Sequence, residues 1–111
     1  MSQRVAKVES VIRAVVAPAL LELLEADAAA VTVTGVDASP DLRNVTVWIG
    51  LLGESKQTER IWGRVVGVRQ DLQRRVNAAM TTKYVPVIHL KQDTGGEYAE
   101  NIERLLAGLD T

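Results

Sequence analysis

The spacing of the apolar residues changes repeatedly along this chain of 111 residues, and that change limits the fold more than any other feature. Apolar residues recur at helical spacing between residues 5 and 24, then alternate with other residues from 31 to 36 and from 44 to 52. Helical spacing returns between residues 58 and 82. An amphipathic helix buries a residue at every third or fourth position, and a half-buried strand buries every second residue. The pattern therefore predicts a helix, two strands and a second helix.

Prolines and glycines predict where these elements bend or end. Pro18 predicts a kink or a break near Ala17, because proline removes a backbone donor inside a helix. The turn residues at 37–43 predict that the two strands pair as a hairpin. Gly63 and Gly67 weaken the second helix and predict a bend between Gly67 and Gln70.

The rest of the chain predicts a strand over residues 84–91, with Ile88 and Leu90 facing inward, and a short terminal helix over 98–109. The predicted order is therefore α-β-β-α-(kink)-α-β-α. A strand, a helical crossover and a further strand predict an α/β (α+β) domain, in which helices pack on one face of a three-stranded sheet. The length fits one domain over residues 1–111.

Composition narrows the function classes. Hydrophobic residues make up 47% of the chain, which is typical of a globular protein. There is no cysteine, which excludes disulfides and thiolate chemistry. The first residues do not form a continuous apolar segment, and no run of 18 apolar residues occurs. These features predict a cytoplasmic protein with no membrane partner.

No catalytic, cofactor or metal site is predicted. His89, the single histidine, alternates out of phase with Ile88 and Leu90 and is interpreted as a surface strand residue. Residues 50–53 match a Gly-x-x-Gly pattern, but they follow a strand and carry two leucines, so they indicate a strand end and a turn. The chain is therefore predicted not to be an enzyme and to need no cofactor or metal.

The charges are distributed unevenly. Residues 58–84 hold six basic and two acidic side chains, whereas residues 89–111 hold two basic and five acidic ones. The spacing alone leaves two interpretations of the basic helix open. It is either a solvated helix face or a ridge of guanidinium groups that bind phosphates, which arginine does in a bidentate manner.

Residues 31–47 contain a valine-rich strand, a Ser-x-Asp-Leu turn and an alternating strand. Residues 72–76 lie in the second helix, and residues 84–90 enter a strand through Val-Pro and are followed by Asp93. Ile102 precedes the pair Leu105 and Leu106. In this order, the segments resemble the first hairpin, the helix, the entry to the last strand and the ending of the ribosome-binding factor A family.

The resemblance implies a type II KH-like fold and a non-enzymatic factor. Such a factor binds the small (30S) ribosomal subunit and its 16S rRNA during late maturation and rRNA processing, including growth in the cold. We expect a monomer that contacts the rRNA, and possible partners include other assembly factors. The residues expected to contact RNA are Arg64, Arg69, Gln70, Arg74, Arg75 and Lys83.

This sequence departs from the family pattern at three places. Val68-Arg69-Gln70 stands where the family has a small-x-Gly kink motif, Asn77 replaces a glycine, and Thr81-Thr82-Lys83 replaces a more basic run. The family's basic tail has no match within the 111 residues. A second hypothesis remains open, in which the chain docks another protein through the acidic terminal helix, using Glu97, Glu100 and Glu103.

Overall fold

The computed structural model describes residues 3–81 and 85–94. Within these ranges the chain forms three α-helices, one 3₁₀ segment and three strands. They are α1 (Gln3–Leu24), the 3₁₀ segment (Glu25–Ala30), β1 (Val31–Ala38), β2 (Asn44–Leu51), α2 (Ser55–Gly67), α3 (Arg69–Ala79) and β3 (Val87–Gln92). The predicted α/β order is confirmed as far as β3, and the terminal helix predicted over 98–109 lies outside the described residues.

The three strands form one sheet in the order β1-β2-β3. β1 and β2 pair antiparallel, as the hairpin prediction requires, and β3 pairs parallel to β2 after the crossover through α2 and α3. The hairpin turn is held by the Asp41 carboxylate, which accepts hydrogen bonds from the Ser39 hydroxyl (2.6 Å) and the Arg43 amide (3.1 Å). Side-chain acceptors of this kind explain why Ser and Asp favour turns.

The helices and one face of the sheet share a single hydrophobic core. The largest fully buried side chains come from all three helices and from β2 and β3. They are Ile12, Leu20, Leu24, Ile49, Ile61, Leu72 and Ile88. Burying one such side chain stabilises the fold by about 1.5–3 kcal/mol. The predicted packing of helices against one face of the sheet is therefore confirmed.

The break predicted at Pro18 does not occur. α1 runs without interruption from Gln3 to Leu24 with Pro18 inside it. The residues around the proline, Val16, Ala19 and Leu20, are all buried against the sheet and the other helices. This burial offsets the cost of about 3 kcal/mol that a proline imposes on a helix interior.

Within the described helices, no stretch is both long and apolar enough to cross a bilayer.

The predicted bend in the second helical stretch is confirmed and lies at Val68. The residue has φ −100° and ψ 7°, and it separates α2 from α3. Its amide donates to the Val65 carbonyl (3.2 Å), and its own carbonyl accepts from the Leu72 amide (3.0 Å). The two helices thus keep their hydrogen bonds across the bend without glycine at position 70.

Two predicted boundaries were too wide. The helical spacing extends to residue 82, but α3 ends at Ala79, which is exposed. β3 begins at Val87, one residue after Pro86, because proline has no amide proton for a ladder hydrogen bond. The first residue that pairs is Val87, whose amide donates to the Arg43 carbonyl (2.9 Å).

Candidate nucleic-acid interface

The outer face of α3 presents an exposed basic residue, Arg74. Gln70 and Arg74 are one helical turn apart, so their side chains lie on the same face, and both residues are exposed. Within residues 3–81 and 85–94, Arg74 makes no hydrogen bond or ion pair. Its guanidinium group is therefore open to an anionic ligand.

The inner edge of the same helix holds β3 in place. The Gln73 amide group donates to the Pro86 carbonyl (3.0 Å) and accepts from the Ile88 amide (2.8 Å). Arg69 donates to the Ile88 carbonyl (3.1 Å). β3 is the last strand of the three-stranded order, and these side chains bind backbone groups along it. Arg74 thus stands on a helix that is fixed to the sheet by its neighbours.

Arg75 binds two carboxylates from different helices. Its Nε donates to Asp71 on α3 (3.2 Å), four residues earlier. Its two terminal nitrogens donate to the Glu22 carboxylate on α1, with Nη1 at 2.9 Å and Nη2 at 3.4 Å. The hydrogen bond and the charge of Arg75 hold the pKa of Glu22 below its usual value. Both ends of this ion pair are therefore charged at neutral pH.

Asp27, in the 3₁₀ segment, joins two arginines of α2. It accepts two hydrogen bonds from Arg60 (3.0 and 2.9 Å) and one from Arg64. Arg64 also donates to the carbonyl of Leu24 (3.0 Å), at the end of α1. The hydrogen bonds from Arg60 and Arg64 lower the pKa of Asp27 to about 2. This cluster fastens α2 to the end of α1.

The structure places the predicted RNA-contact residues in three groups. Gln70 and Arg74 are exposed on α3. Arg64, Arg69 and Arg75 lie on the same two helices but hold intramolecular hydrogen bonds. Lys83 lies outside the described residues.

Sequence reasoning missed the residues that hold these arginines, namely Glu22, Asp27 and Gln73. Glu22 lies 53 positions before Arg75, and Asp27 lies 33 positions before Arg60. A count of charges within each segment therefore does not reveal these pairs. The Gln73 side chain could be recognised only once α3 was placed beside β3.

None of the His, Asp and Glu side chains of the described residues form a group of three or more that could hold a metal ion. His89 is exposed on β3, as predicted, and its Nε2 lies 2.8 Å from the Asn44 amide oxygen. The Gly-x-x-Gly segment is a strand end, as predicted, because β2 finishes at Leu51 and Gly53 has φ 130°.

Comparison with known proteins connects this geometry to one family. The sequence model of the family described as ribosome-binding factor A matches residues 4–106. Ribosome-binding factor A of Rhodopirellula baltica is 32% identical over 107 residues, covering 96% of this chain and 78% of the relative. The protein of the same name from Rhodospirillum rubrum is 42% identical over 77 residues, covering 69% of this chain and 46% of the relative. That of Thermomicrobium roseum is 33% identical over 76 residues, covering 68% and 59%.

Solved structures agree on the fold. The crystal structure of ribosome-binding factor A from Thermus thermophilus is similar with a TM-score of 0.62 at 17% identity, covering 79% of this chain and 93% of that one. The solution NMR structure of a candidate ribosome-binding factor A from Thermotoga maritima gives a TM-score of 0.70 at 20% identity, covering 86% and 92%. The KH-like fold that the sequence resemblance implied is thereby confirmed.

Proposed function

The chain belongs to the ribosome-binding factor A family, and from this premise we propose that it is a non-enzymatic assembly factor of the small (30S) ribosomal subunit. It binds the subunit and its 16S rRNA during late maturation and rRNA processing. It acts in the cytoplasm, as a monomer, without a cofactor. Membership of the family supports the association with the ribosome, and the surface of α3 supports the RNA contact.

The observation that carries the proposal is the exposed face of α3 around Arg74. The Arg74 guanidinium group has no partner among the described residues, so it can bind phosphate with two parallel hydrogen bonds. Gln70 stands one turn earlier on the same face and offers both a donor and an acceptor to a sugar or a base. The helix is fixed to β3 through Arg69 and Gln73, so little conformational freedom is lost when RNA binds.

The other predicted contacts have graded roles in this proposal. Arg75 is half-buried and reaches RNA only after a change of partner, and Arg69 contributes its charge while it holds β3. Arg64 lies on α2 and contributes mainly through its positive charge, since Asp27 and the end of α1 occupy its donors. Lys83 remains a predicted contact.

The proposal is tested by reversing the charge of Arg74. Arg74→Glu removes one phosphate contact and places a negative charge there, so binding to purified small subunits weakens by at least about tenfold, because a charge-assisted hydrogen bond is worth about 1.5–3 kcal/mol. The slope of log affinity against log salt becomes shallower by about 0.7–0.9, the value for one phosphate contact. Thermal stability stays close to that of the wild type, since Arg74 has no partner within the described residues.

Lys56→Glu is the matched control. It makes the same change of net charge at an exposed position in the first turn of α2, at the end of that helix away from α3. We expect it to bind small subunits nearly as well as the wild type. Equal binding by Arg74→Glu and the wild type at several salt concentrations would reject the α3 surface as the RNA contact.

Reversing Arg74 and Arg75 together is a less direct test. A glutamate at position 75 would face both Glu22 and Asp71, so the double variant would lose stability as well as charge. The single change at Arg74 separates the two effects.

A further inference from the structure

The guanidinium group of Arg75 has two edges, and each is bound by a different carboxylate. Asp71 accepts from Nε at 3.2 Å on the same helix. Glu22 accepts from both terminal nitrogens, Oε2 from Nη1 at 2.9 Å and Oε1 from Nη2 at 3.4 Å. The contact with Glu22 is bidentate, and arginine binds phosphate groups in the same bidentate manner. Glu22 therefore occupies the place that a phosphate would take on Arg75.

The contact with Glu22 is exposed and easily exchanged. The Glu22 side chain is 69% exposed, and that of Arg75 is 34% exposed. Ion pairs between exposed side chains contribute little to stability, because water and salt compete for both charges. A phosphate brought close by neighbouring contacts can thus replace the carboxylate at small cost.

The cluster around Asp27 differs in this respect. The Asp27 side chain is only 15% exposed and receives hydrogen bonds from Arg60 and Arg64 together. Arg64 is held in addition by the backbone at the end of α1. Replacing Asp27 would break the contacts that connect α2 to the end of α1, so this cluster is structural. Of the two carboxylates on Arg75, Glu22 is the more exposed, at 69% against 36% for Asp71, and it is the one that a phosphate can replace.

We propose that Glu22 is a specificity-determining residue that competes with RNA phosphate for Arg75. An RNA gains the Arg75 contact only by displacing Glu22, while Asp71 keeps the guanidinium group oriented through Nε. Generic RNA, which binds weakly, meets a site whose charge is already neutralised. When an RNA is already bound at Arg74, its next phosphate is held near Arg75 at high effective concentration. That phosphate then displaces Glu22 from Arg75. This inference rests on the proposed function of the α3 surface.

The test uses Glu22→Gln and a generic probe, a fluorescein-labelled 20-nucleotide poly(U) RNA. Glutamine keeps the size of the side chain and removes the competing charge. We expect poly(U) to bind about two- to fivefold more tightly at low salt, which corresponds to the strength of one exposed ion pair. The log–log salt slope should steepen by up to about 0.7, because one more arginine releases counterions from single-stranded RNA. Purified small subunits should gain less than poly(U).

Two controls connect the effect to Arg75. Glu54→Gln removes one charge at an exposed position before α2 and should leave the affinity for poly(U) unchanged. In an Arg75→Ala background, Glu22→Gln should bring no gain. A gain that persists without Arg75, or no gain in Glu22→Gln itself, overturns the inference.

A direct titration supplies a second readout. The carboxyl carbon of Glu22, followed by NMR, should keep its low pKa when poly(U) saturates the wild-type chain, because a generic RNA does not displace the carboxylate from Arg75. A pKa that rises to its ordinary value in this complex overturns the inference. The Arg74→Glu variant separates the two proposals. If Arg74→Glu still binds small subunits, the proposed function fails. If Arg74→Glu loses this binding while Glu22→Gln binds poly(U) no more tightly than the wild type, the inference alone fails.

Discussion

Gln73 binds the backbone of β3 on both sides of Val87, and replacing it with methionine removes these hydrogen bonds while keeping much of the volume. The Pro86 carbonyl and the Ile88 amide would then lose their partners in a half-buried setting. An unsatisfied buried group costs about 1–3 kcal/mol, and partial exposure favours the lower end, so we expect a loss of about 2 kcal/mol in the free energy of unfolding. In a domain of this size that corresponds to a melting temperature lower by about 8–15 °C.

Urea denaturation measures the loss, and hydrogen exchange locates it. The Ile88 amide should exchange faster in Gln73→Met than in the wild type, because its acceptor has gone. Gln70→Met is the matched control, with the same change on the exposed face of the same helix. It should alter stability by less than about 0.5 kcal/mol. Equal stability of the two variants, or unchanged exchange at Ile88, would refute the role given to Gln73.

Two further predictions concern stability. Gly63→Ala should raise the free energy of unfolding by about 1 kcal/mol, because alanine is the better helix former and a β-carbon at Gly63 would meet no atom within 4 Å; a lower melting temperature would contradict this. Asp27→Asn should unfold more easily than the wild type at pH 7. Because Arg60 and Arg64 lower the pKa of Asp27 from 3.8 to about 2, the carboxylate's contribution is present above pH 4 and is lost as the pH falls toward 2. The gap between the two melting curves should therefore close over that interval, and a constant gap would refute the assignment.

The strands and helices of this chain could be predicted because local spacing determines them. Val45, Val47 and Ile49 alternate with outward-facing residues in β2, and Ile61, Val65, Leu72 and Val76 follow helical spacing and are fully buried. The bend near Gly67 was predicted from weak helix formers. Its position at Val68 depended on backbone hydrogen bonds that no residue type identifies.

Long-range packing explains what the sequence could not predict. Pro18 suggested a break, but the buried residues on either side of it keep α1 continuous. The same limit applies to the candidate site. A count of charges identified a basic region, yet the partners that hold Arg64 and Arg75 come from α1 and the 3₁₀ segment. Only the folded chain distinguishes Arg74, which has no partner in the described part of the chain, from arginines that already hold a carboxylate or a carbonyl.

We propose that this chain binds the small ribosomal subunit through the α3 surface around Arg74. Sucrose-gradient sedimentation of a cell lysate tests this binding, with the wild type, Arg74→Glu and Lys56→Glu followed by antibody. We expect the wild type and Lys56→Glu to sediment with free small subunits, and Arg74→Glu to stay near the top of the gradient. Nuclease treatment should release the wild type. A wild type that stays at the top, or an Arg74→Glu variant that sediments with the small subunits, would contradict the claim.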